Sequence, residues 1–318
     1  MRTVVVGAGS WGTAFACLLR DAGHEVTLAA RDRAQVAAIR ETGRNPRYAR
    51  EADLRGIAAT TVEEAPLADA DLVAVAVPSR VFGEVVASLP GQAPILGLTK
   101  GLDPATGARL STLVRDRPVA VLSGPNIAEE IVRGLPAAAV VASDNLELAV
   151  RVQLAVHSAV FRAYVSDDLV GVELCAAAKN VIALAAGGAD GLRLGDNAKA
   201  ALVARGLAEM RRLAEIAGAR PDTFAGLAGM GDLIVTCFAP SGRNRRAGEL
   251  IAQGVSATEA VARIGMVVEG LTTAPVLRDL ARRLGVDMPI TEGVCAVLEG
   301  AALEDLVAQL MRRAPTTE

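Results

Sequence analysis

The sequence predicts an α/β protein with a Rossmann-type, mostly parallel sheet domain followed by an all-α carboxyl-terminal domain. Three observations predict this fold class. The first half of the 318-residue chain alternates short β-rich runs with helical patterns, as βαβ units do. A glycine-rich turn directly follows the first run, and from about Asp167 the pattern becomes almost continuous helix. We therefore expect a dinucleotide-binding domain at residues 1–175 and a helical substrate-binding domain at residues 176–318.

The elements of the first half are bounded by Gly, Pro or charged residues, which mark the ends of strands and helices. Strands are predicted at residues 3–6, 25–30, 72–77, 94–98, 119–122, 137–142 and 160–165. Helices are predicted between them at residues 11–22, 33–41, 80–88 and 106–114. In the second half, helices are predicted at residues 170–186, 197–217, 245–252, 257–264, 272–284 and 303–312.

Composition excludes several classes of partner. A formal net charge of -3 without long runs of one sign gives no electrostatic footprint for nucleic acid or an anionic membrane. Four widely spaced cysteines without a CxxC pair argue against a metal site or a disulfide framework and favour a reducing cytoplasm. The amino terminus lacks a signal-peptide pattern. The apolar stretch at residues 174–189 contains Lys179 and is predicted to be a buried helix rather than a membrane span.

The turn after the first strand carries the GxGxxG pattern of a dinucleotide site. Gly7 permits the tight turn, Gly9 lets the backbone approach a pyrophosphate, and Gly12 allows the helix to pack closely on the strand. The helix that follows supplies free N–H donors at its amino terminus. Because the pattern stands between a predicted strand and a predicted helix, it indicates NAD(P) binding.

The end of the second strand bears on cofactor choice. In NAD-specific members of this fold, this strand ends in Asp or Glu, which binds the ribose hydroxyls. Here that position is Ala30, and Arg31 and Arg33 follow, so that a 2′-phosphate fits through charge-assisted hydrogen bonds. Asp32 would be the ribose ligand if the strand ended later. We favour NADP(H) over NAD(H).

The dehydrogenation of an alcohol by NAD(P) needs a base that accepts the hydroxyl proton while a hydride leaves the same carbon. The two histidines, His24 and His157, are predicted to be structural or surface residues. Only Lys100, Lys179 and Lys199 among the 33 basic residues are lysines. Lys179 lies in an apolar helical run, where burial favours the neutral amine that accepts a proton. A lysine at a helix edge that reaches solvent is the alternative.

A second candidate constellation begins at residues 229–237, which include Asp232 and Thr236, and continues with Arg243 and Asn244 at a helix start. Arginine side chains and the free N–H groups of a helix start suit a phosphate group. By itself, an Arg-Asn-Arg-Arg run is more often a solvated helix start.

A series of motifs along nearly the whole chain resembles the NAD(P)-dependent glycerol-3-phosphate dehydrogenases. The motifs are GAGSWGTA at 7–14, LTKGL at 98–102, SGP at 123–125, AKNVIA at 178–183, GDL at 231–233, RNRR at 243–246 and VVEG at 267–270. The resemblance implies hydride transfer between NADP(H) or NAD(H) and the pair sn-glycerol 3-phosphate and dihydroxyacetone phosphate. It also implies a cytoplasmic homodimer that supplies glycerol 3-phosphate for phospholipid synthesis.

The resemblance assigns roles to individual residues. Lys179 would be the proton acceptor, Lys100 would orient and polarise the substrate oxygens, and Asp232 would support Lys179 and contact substrate. The further substrate contacts that it implies are Gly124, Asn180, Thr236, Arg243 and Asn244. The cofactor contacts that it implies, besides the three glycines, are Ser10, Trp11, Arg31, Lys100, Ala128, Arg243, Val267 and Glu269.

Two positions depart from the family pattern, because Asn126 and Gly242 stand where the family usually has a hydroxyl residue. Two other functions fit the sequence less well. A two-domain hydroxyacid or ketopantoate-type dehydrogenase shares the nucleotide fold and a lysine but takes a carboxylate substrate. A non-catalytic NAD(P) sensor would not need Lys179, Asn180 and Asp232 together.

Overall fold

The computed structural model describes residues 1–304 and divides the chain into two compact units, with the division between Glu173 and Leu174. This division falls inside one long helix, a few residues from the boundary that the sequence predicts. The predicted helix at residues 303–312 lies outside the described residues from position 305 onward.

The first unit is built on an eight-stranded sheet in the order β3-β2-β1-β4-β5-β6-β7-β8. The strands are β1 Arg2–Val6, β2 Glu25–Ala30, β3 Ala58–Thr61, β4 Leu72–Val75, β5 Ile95–Gly97, β6 Val119–Ser123, β7 Ala137–Ala142 and β8 Phe161–Ser166. All neighbours pair in parallel except β6 and β7, which pair antiparallel. The mostly parallel Rossmann-type sheet that the sequence predicts is confirmed.

Both faces of this sheet are covered. Val5 of β1 belongs to one apolar cluster, whereas its neighbours Val4 and Val6 belong to a second cluster. Alternate residues of a strand point to opposite faces, so the two clusters lie on opposite sides of the sheet. The helices of this unit are α1 Ser10–Asp21, α2 Arg33–Thr42, α3 Ser79–Ser88, α4 Ala128–Val132 and α5 Leu146–Val156.

The sequence pattern misses three elements of this unit, namely β3, α4 and α5, and one predicted helix is wrong. Strand β3 was not predicted, because its four small residues carry little β pattern and are held by parallel pairing with β2. The predicted helix at residues 106–114 is wrong. Asp103 instead accepts hydrogen bonds from the Thr106 backbone N–H and hydroxyl, and Gly107 is left-handed at φ 72°. Only a 3-10 turn forms there, at Leu110–Leu113.

The described part of the second unit consists of helices joined by turns and contains no strand. Its helices are α6 Leu169–Gly191, which begins in the first unit, α7 Gly195–Ile216, α8 Asp222–Ala225, α9 Asp232–Phe238, α10 Arg243–Ala252, α11 Ala257–Ile264, α12 Glu269–Arg283 and α13 Pro289–Leu298. Helices α8, α9 and α13 were not predicted. Helix α9 is only seven residues long and mostly apolar, so it shows no amphipathic period, and α13 has no side-chain cap to mark its start.

Helix α6 is long and apolar enough to cross a membrane, and among the described residues it alone meets that criterion. However, 89% of the most apolar 18-residue stretch of this helix is buried inside the protein. This burial is typical of a core helix, as the sequence predicts for this stretch.

Helices α6 and α10 approach each other closely because glycines face the contact. A Cβ at Gly187 would collide with the carbonyl oxygen of Arg245, and a Cβ at Gly248 would collide with that of Leu184. Any larger residue would force the two backbones apart. These glycines therefore fix the distance between α6, which carries Lys179 and Asn180, and α10, which carries Asn244.

Candidate active site

Predicted cofactor and substrate residues of the first unit follow the carboxyl ends of parallel strands. Gly7 follows β1, Arg31 follows β2, Lys100 stands three residues after β5, and Gly124 follows β6. Carboxyl ends of parallel strands lie at one edge of a sheet, and dinucleotides bind there, beside the point where the strand order reverses. In this sheet the reversal lies between β1 and β4.

The glycine-rich turn has the geometry that each of its glycines predicts. Gly7 has φ 112°, and a Cβ there would lie 2.5 Å from the carbonyl oxygen of Ala76. A Cβ at Gly12 would collide with the Gly7 carbonyl, so α1 packs closely on β1. By contrast, no described atom lies within 4 Å of a Cβ placed on Gly9. This open space is where a pyrophosphate can approach the backbone, so the residues present fit a dinucleotide.

Two buried amides that the sequence analysis missed hold this turn. Gln35 Nε2 and Asn45 Nδ2 both donate to the carbonyl oxygen of Ala8, at 2.8 and 3.0 Å. Asn45 Nδ2 also donates to Thr13 Oγ1 at 2.8 Å, and its Oδ1 accepts from the backbone of Arg47 at 3.1 Å. The two amides thereby join the glycine turn to the segment after α2. Their polarity at buried positions is the signal that could have revealed them.

The second strand ends at Ala30, as predicted, and its flanking charges are now placed. Asp32 caps α2, because its Oδ1 accepts from the backbone N–H of Ala34 at 2.9 Å. Its other oxygen lies 3.9 Å from the Arg47 guanidinium. Arg31 and Arg33 are exposed beside it. The carboxylate is thus engaged with its own helix and an arginine, and the arginine side chains remain open to solvent.

Lys100 is held at the same edge of the sheet by the chain after β6. Its Nζ donates to the carbonyl oxygen of Gly124 at 2.8 Å. Gly124 has φ 144°, and a Cβ there would lie 2.9 Å from the Ala138 carbonyl, so this backbone position requires glycine. Asn126, one of the two departures from the family pattern, donates from Nδ2 to the same Ala138 carbonyl at 3.0 Å.

The segment that follows Lys100 is anchored by Glu173, a residue to which the sequence analysis gave no role. The carboxylate of Glu173 accepts from the Ser111 backbone N–H at 2.8 Å, from the Ser111 hydroxyl at 2.5 Å and from Arg109 at 2.8 Å. Burial is the main cause that raises the pKa of Glu173, and these three donors oppose it. The contacts tie the return limb of the Lys100 loop to the first turns of α6.

In the second unit, Lys179, Asp232 and Thr236 form one cluster, in which the lysine and the aspartate are buried and the threonine is half-buried. Lys179 Nζ donates to Asp232 Oδ1 at 2.9 Å and to Thr236 Oγ1 at 2.8 Å. The side chains of Lys179 and Asp232 are only 6% and 2% exposed. A π-helical turn at Leu227–Gly231 leads into Asp232, the first residue of α9. Such turns are frequent at functional sites.

Asn180 and Asn244 form a second buried pair. Asn244 Nδ2 donates to Asn180 Oδ1 at 2.9 Å, and Asn244 Oδ1 accepts from the backbone N–H of Gly270 at 2.9 Å. Asn244 thereby links α6 to the first turn of α12, where Glu269 is the first residue. The orientation of both amides is set by this chain of hydrogen bonds.

Arg243 begins α10 and is exposed. Its guanidinium donates to the carbonyl oxygen of Val267 at 3.2 Å, which brings two of the predicted cofactor contacts together. Gly242 is the N-cap residue of α10, and a Cβ on it would lie 3.0 Å from the Thr236 carbonyl oxygen. The space at residue 242 is therefore tight for the serine that is usual in the family.

The remaining candidates have other surroundings. His24 ring atoms contact the amino terminus and the Ala155 carbonyl, and His157 caps α5. Trp11 packs on Phe15 with ring centroids 5.7 Å apart. Ala128, another predicted cofactor contact, is the first residue of α4. Among residues 1–304, no group of three His, Cys, Asp or Glu side chains is placed to hold a metal ion.

Comparison with known proteins assigns the family. Residues 2–149 and 168–308 match the family models described as NAD-dependent glycerol-3-phosphate dehydrogenase N-terminus and C-terminus. A glycerol-3-phosphate dehydrogenase [NAD(P)+] from Xanthomonas campestris pv. campestris (strain B100) is 44% identical over 97% of this chain and 95% of its own.

Solved structures agree with this assignment. The crystal structure of glycerol-3-phosphate dehydrogenase from Coxiella burnetii is similar with a TM-score of 0.94 and 36% identity, covering 98% of this chain and 99% of its own. A ketopantoate reductase from Ralstonia eutropha JMP134 reaches a TM-score of 0.59 at 20% identity over 96% of this chain and all of its own, so it shares the fold alone. The chain belongs to the NAD-dependent glycerol-3-phosphate dehydrogenase family.

Proposed function

We propose that this protein is an NAD(P)-dependent sn-glycerol-3-phosphate dehydrogenase, which interconverts sn-glycerol 3-phosphate and dihydroxyacetone phosphate. The observation that carries the proposal is the buried cluster of Lys179, Asp232 and Thr236 in a member of this family. A buried ammonium held by a carboxylate and a hydroxyl is suited to exchange a proton with a substrate oxygen.

Lys179 handles the proton of the reaction. Described residues accept two hydrogen bonds from its ammonium, which leaves the third N–H for the substrate oxygen. In the direction of reduction, the ammonium donates this proton to the oxygen that becomes the hydroxyl. In the direction of oxidation, the neutral amine accepts it. Asp232 keeps the amine in place and stabilises the ammonium, while Lys100 orients and polarises the substrate oxygens.

The cofactor belongs at the carboxyl edge of the sheet in the first unit. When bound there, the nicotinamide ring donates or accepts the hydride. The glycine turn and the N–H groups of α1, with Ser10 and Trp11, would hold the pyrophosphate end, and Ala128 would add a contact. Arg31 would meet a 2′-phosphate, because the end of β2 carries no carboxylate and Asp32 is engaged as a helix cap. We therefore propose that NADP(H) is preferred over NAD(H).

Arg243 and the first N–H groups of α10 provide the phosphate site of the substrate, with Asn180, Asn244 and Thr236 beside them. Val267 and Glu269 would contact the cofactor. Support for this arrangement comes from the contacts inside the second unit, where Arg243 reaches the Val267 carbonyl and Asn244 reaches the backbone of Gly270.

Arg243→Ala tests the phosphate site. Loss of a hydrogen bond to a charged group costs roughly 10- to 150-fold in affinity, so the Michaelis constant for dihydroxyacetone phosphate should rise by that factor. Free dihydroxyacetone lacks the phosphate, and the disadvantage of the variant should largely vanish with it. Phosphite in solution should restore part of that reaction in the wild type and less in the variant. Equal losses with both substrates would move Arg243 to the cofactor or to the fold.

We further propose that the protein is a cytoplasmic homodimer that supplies glycerol 3-phosphate for phospholipid synthesis. All four cysteines are free and buried, which supports a reducing compartment.

Burial raises the pKa of the Cys237 thiol to about 12, so this thiol stays protonated at neutral pH and does not compete with Lys179 as a base.

A further inference from the structure

A partly buried ionic cluster joins three helices of the second unit and has no part in the reaction proposed above. Asp190 of α6 accepts from Lys199 of α7 at 2.8 Å and from Arg245 of α10 at 2.7 Å through the same oxygen. The Arg245 and Lys199 side chains are 13% and 9% exposed. Desolvation raises the pKa of Asp190, but the two cations outweigh it and leave that pKa below its ordinary value. The carboxylate therefore stays ionised at neutral pH.

Arg245 also holds the turn between α9 and α10. Its Nε donates to the Ala239 carbonyl at 3.3 Å, and its Nη2 donates to the Pro240 carbonyl at 3.2 Å. Its Nη1, which meets Asp190, lies 3.1 Å from Glu249. Every nitrogen of the guanidinium thus has a protein partner. Because a guanidinium is planar and rigid, fixing one side of it on Asp190 fixes the two carbonyls on the other side.

The turn held in this way leads directly into the phosphate site. The N–H of Gly242 bonds to the Ala239 carbonyl at 3.0 Å, and Arg243 follows as the first residue of α10. Lys199 strengthens the same corner, because its Nζ lies 4.7 Å from the ring centre of Phe238, the last residue of α9. The direction in which Arg243 leaves the turn thus depends on the position of residues 239–242.

We infer that Arg245, oriented by Asp190, is a positioning residue that sets the turn at residues 239–242 so that Arg243 and the start of α10 meet the substrate phosphate. This inference rests on the proposed function, since it takes Arg243 as the phosphate ligand. Arg245 itself is neutralised by two carboxylates and points into the protein. Its effect on phosphate binding is therefore geometric, and a lysine with the same charge cannot replace it.

Calorimetric titration of dihydroxyacetone phosphate into the NADP⁺-bound protein tests the inference. No hydride is present in this mixture, so the titration measures binding without turnover. Arg245→Lys keeps the charge but loses the planar fork, and its Kd should rise by roughly tenfold or more. The matched control is Arg246→Ala, which removes an exposed cation from the same helix start and should change Kd by less than about threefold. NADPH affinity, measured by fluorescence, should be the same in wild type, Arg245→Lys and Arg246→Ala.

Three further variants separate the possible failures. Asp190→Asn retains an acceptor for Arg245 but loses the charge, and it should raise Kd as Arg245→Lys does. It replaces Arg245→Lys as the test if Arg245→Lys folds poorly. Arg243→Ala should weaken binding, and adding Arg245→Lys to it should have little further effect. Wild-type affinity in both Arg245→Lys and Asp190→Asn, or an equal loss in Arg246→Ala, would overturn the positioning role alone. Unchanged affinity in Arg243→Ala would overturn the phosphate site and the inference with it.

Discussion

At the residue scale, Lys179 lies in the core with 6% of its side chain exposed, and a carboxylate and a hydroxyl accept hydrogen bonds from its ammonium. Its apolar neighbours in the sequence predict this burial. The partners could not be predicted from spacing alone, because Asp232 and Thr236 lie 53 and 57 positions away on another helix. The same limit explains why Gln35, Asn45 and Glu173 were missed. Their roles arise from tertiary contacts, and the partners in those contacts cannot be identified from spacing along the chain.

Lys179→Ala should lower turnover by ~10² to 10⁴-fold, the usual range for a general acid or base, and leave NADPH binding nearly intact. The change also leaves Asp232 buried without its cation, which destabilises a protein by roughly 3–5 kcal/mol. The double variant Lys179→Met/Asp232→Asn removes both charges and serves as the stability control. Stopped-flow turnover and NADPH fluorescence provide the readouts. Near-normal turnover in a folded single variant would remove Lys179 from the mechanism.

Arg31→Ala should raise the Michaelis constant for NADPH far more than that for NADH, because only NADPH carries the 2′-phosphate that the guanidinium meets. Ala30→Asp should act in the same direction by placing a carboxylate at the end of β2. Steady-state kinetics with both cofactors measure the ratio. Equal changes for NADPH and NADH would show that Arg31 does not contact the 2′-phosphate.

At the scale of elements, α13 depends on a side chain from another helix. Glu209 of α7 accepts from the backbone N–H of Ile290 at 2.6 Å and of Thr291 at 3.2 Å, and so caps the start of α13. Helix α13 carries a favourable Pro in its first turn but has no side-chain cap of its own, so its sequence lacks one of the usual signals of a helix start. Burial is the main cause that raises the pKa of Glu209 from 4.5 to about 7, although the backbone donors oppose it.

This carboxyl predicts a dependence of stability on pH. The folded state binds the Glu209 proton more tightly than the unfolded state does, so its contribution is fully present below about pH 4.5 and is lost as pH rises through 7. At ~1.4 kcal/mol per pKa unit, the loss is at most about 3 kcal/mol. The free energy of unfolding, measured with denaturant at several values from pH 5 to 8, should fall less steeply with pH in Glu209→Gln than in wild type. Glu292→Gln, which removes a surface carboxylate paired with Arg282, is the control. The same pH dependence of the unfolding free energy in Glu209→Gln and in wild type would contradict the assignment.

At the scale of the whole molecule, the mostly parallel sheet and the helical second unit followed from hydrophobic pattern and glycine turns, because β1 to α2 and the long helices of the second unit carry strong periodicity. What pattern could not predict was set by neighbours: β3 by its pairing with β2, and the turn at residues 103–107 by the Asp103 side chain. The family membership rests on the order of motifs along the chain and on matches that cover both units. Specificity, in contrast, rests on individual polar residues.

The central claim is that this chain reduces dihydroxyacetone phosphate with NAD(P)H. The most direct test follows the oxidation of NADPH and NADH at 340 nm with dihydroxyacetone phosphate and, in parallel, with ketopantoate. We predict turnover with dihydroxyacetone phosphate at a kcat/KM roughly 10⁴-fold above that for ketopantoate, because a site built for a phosphate dianion rejects a substrate that lacks it. Equal or faster reaction with ketopantoate, or no reaction with dihydroxyacetone phosphate and either cofactor, would contradict the account.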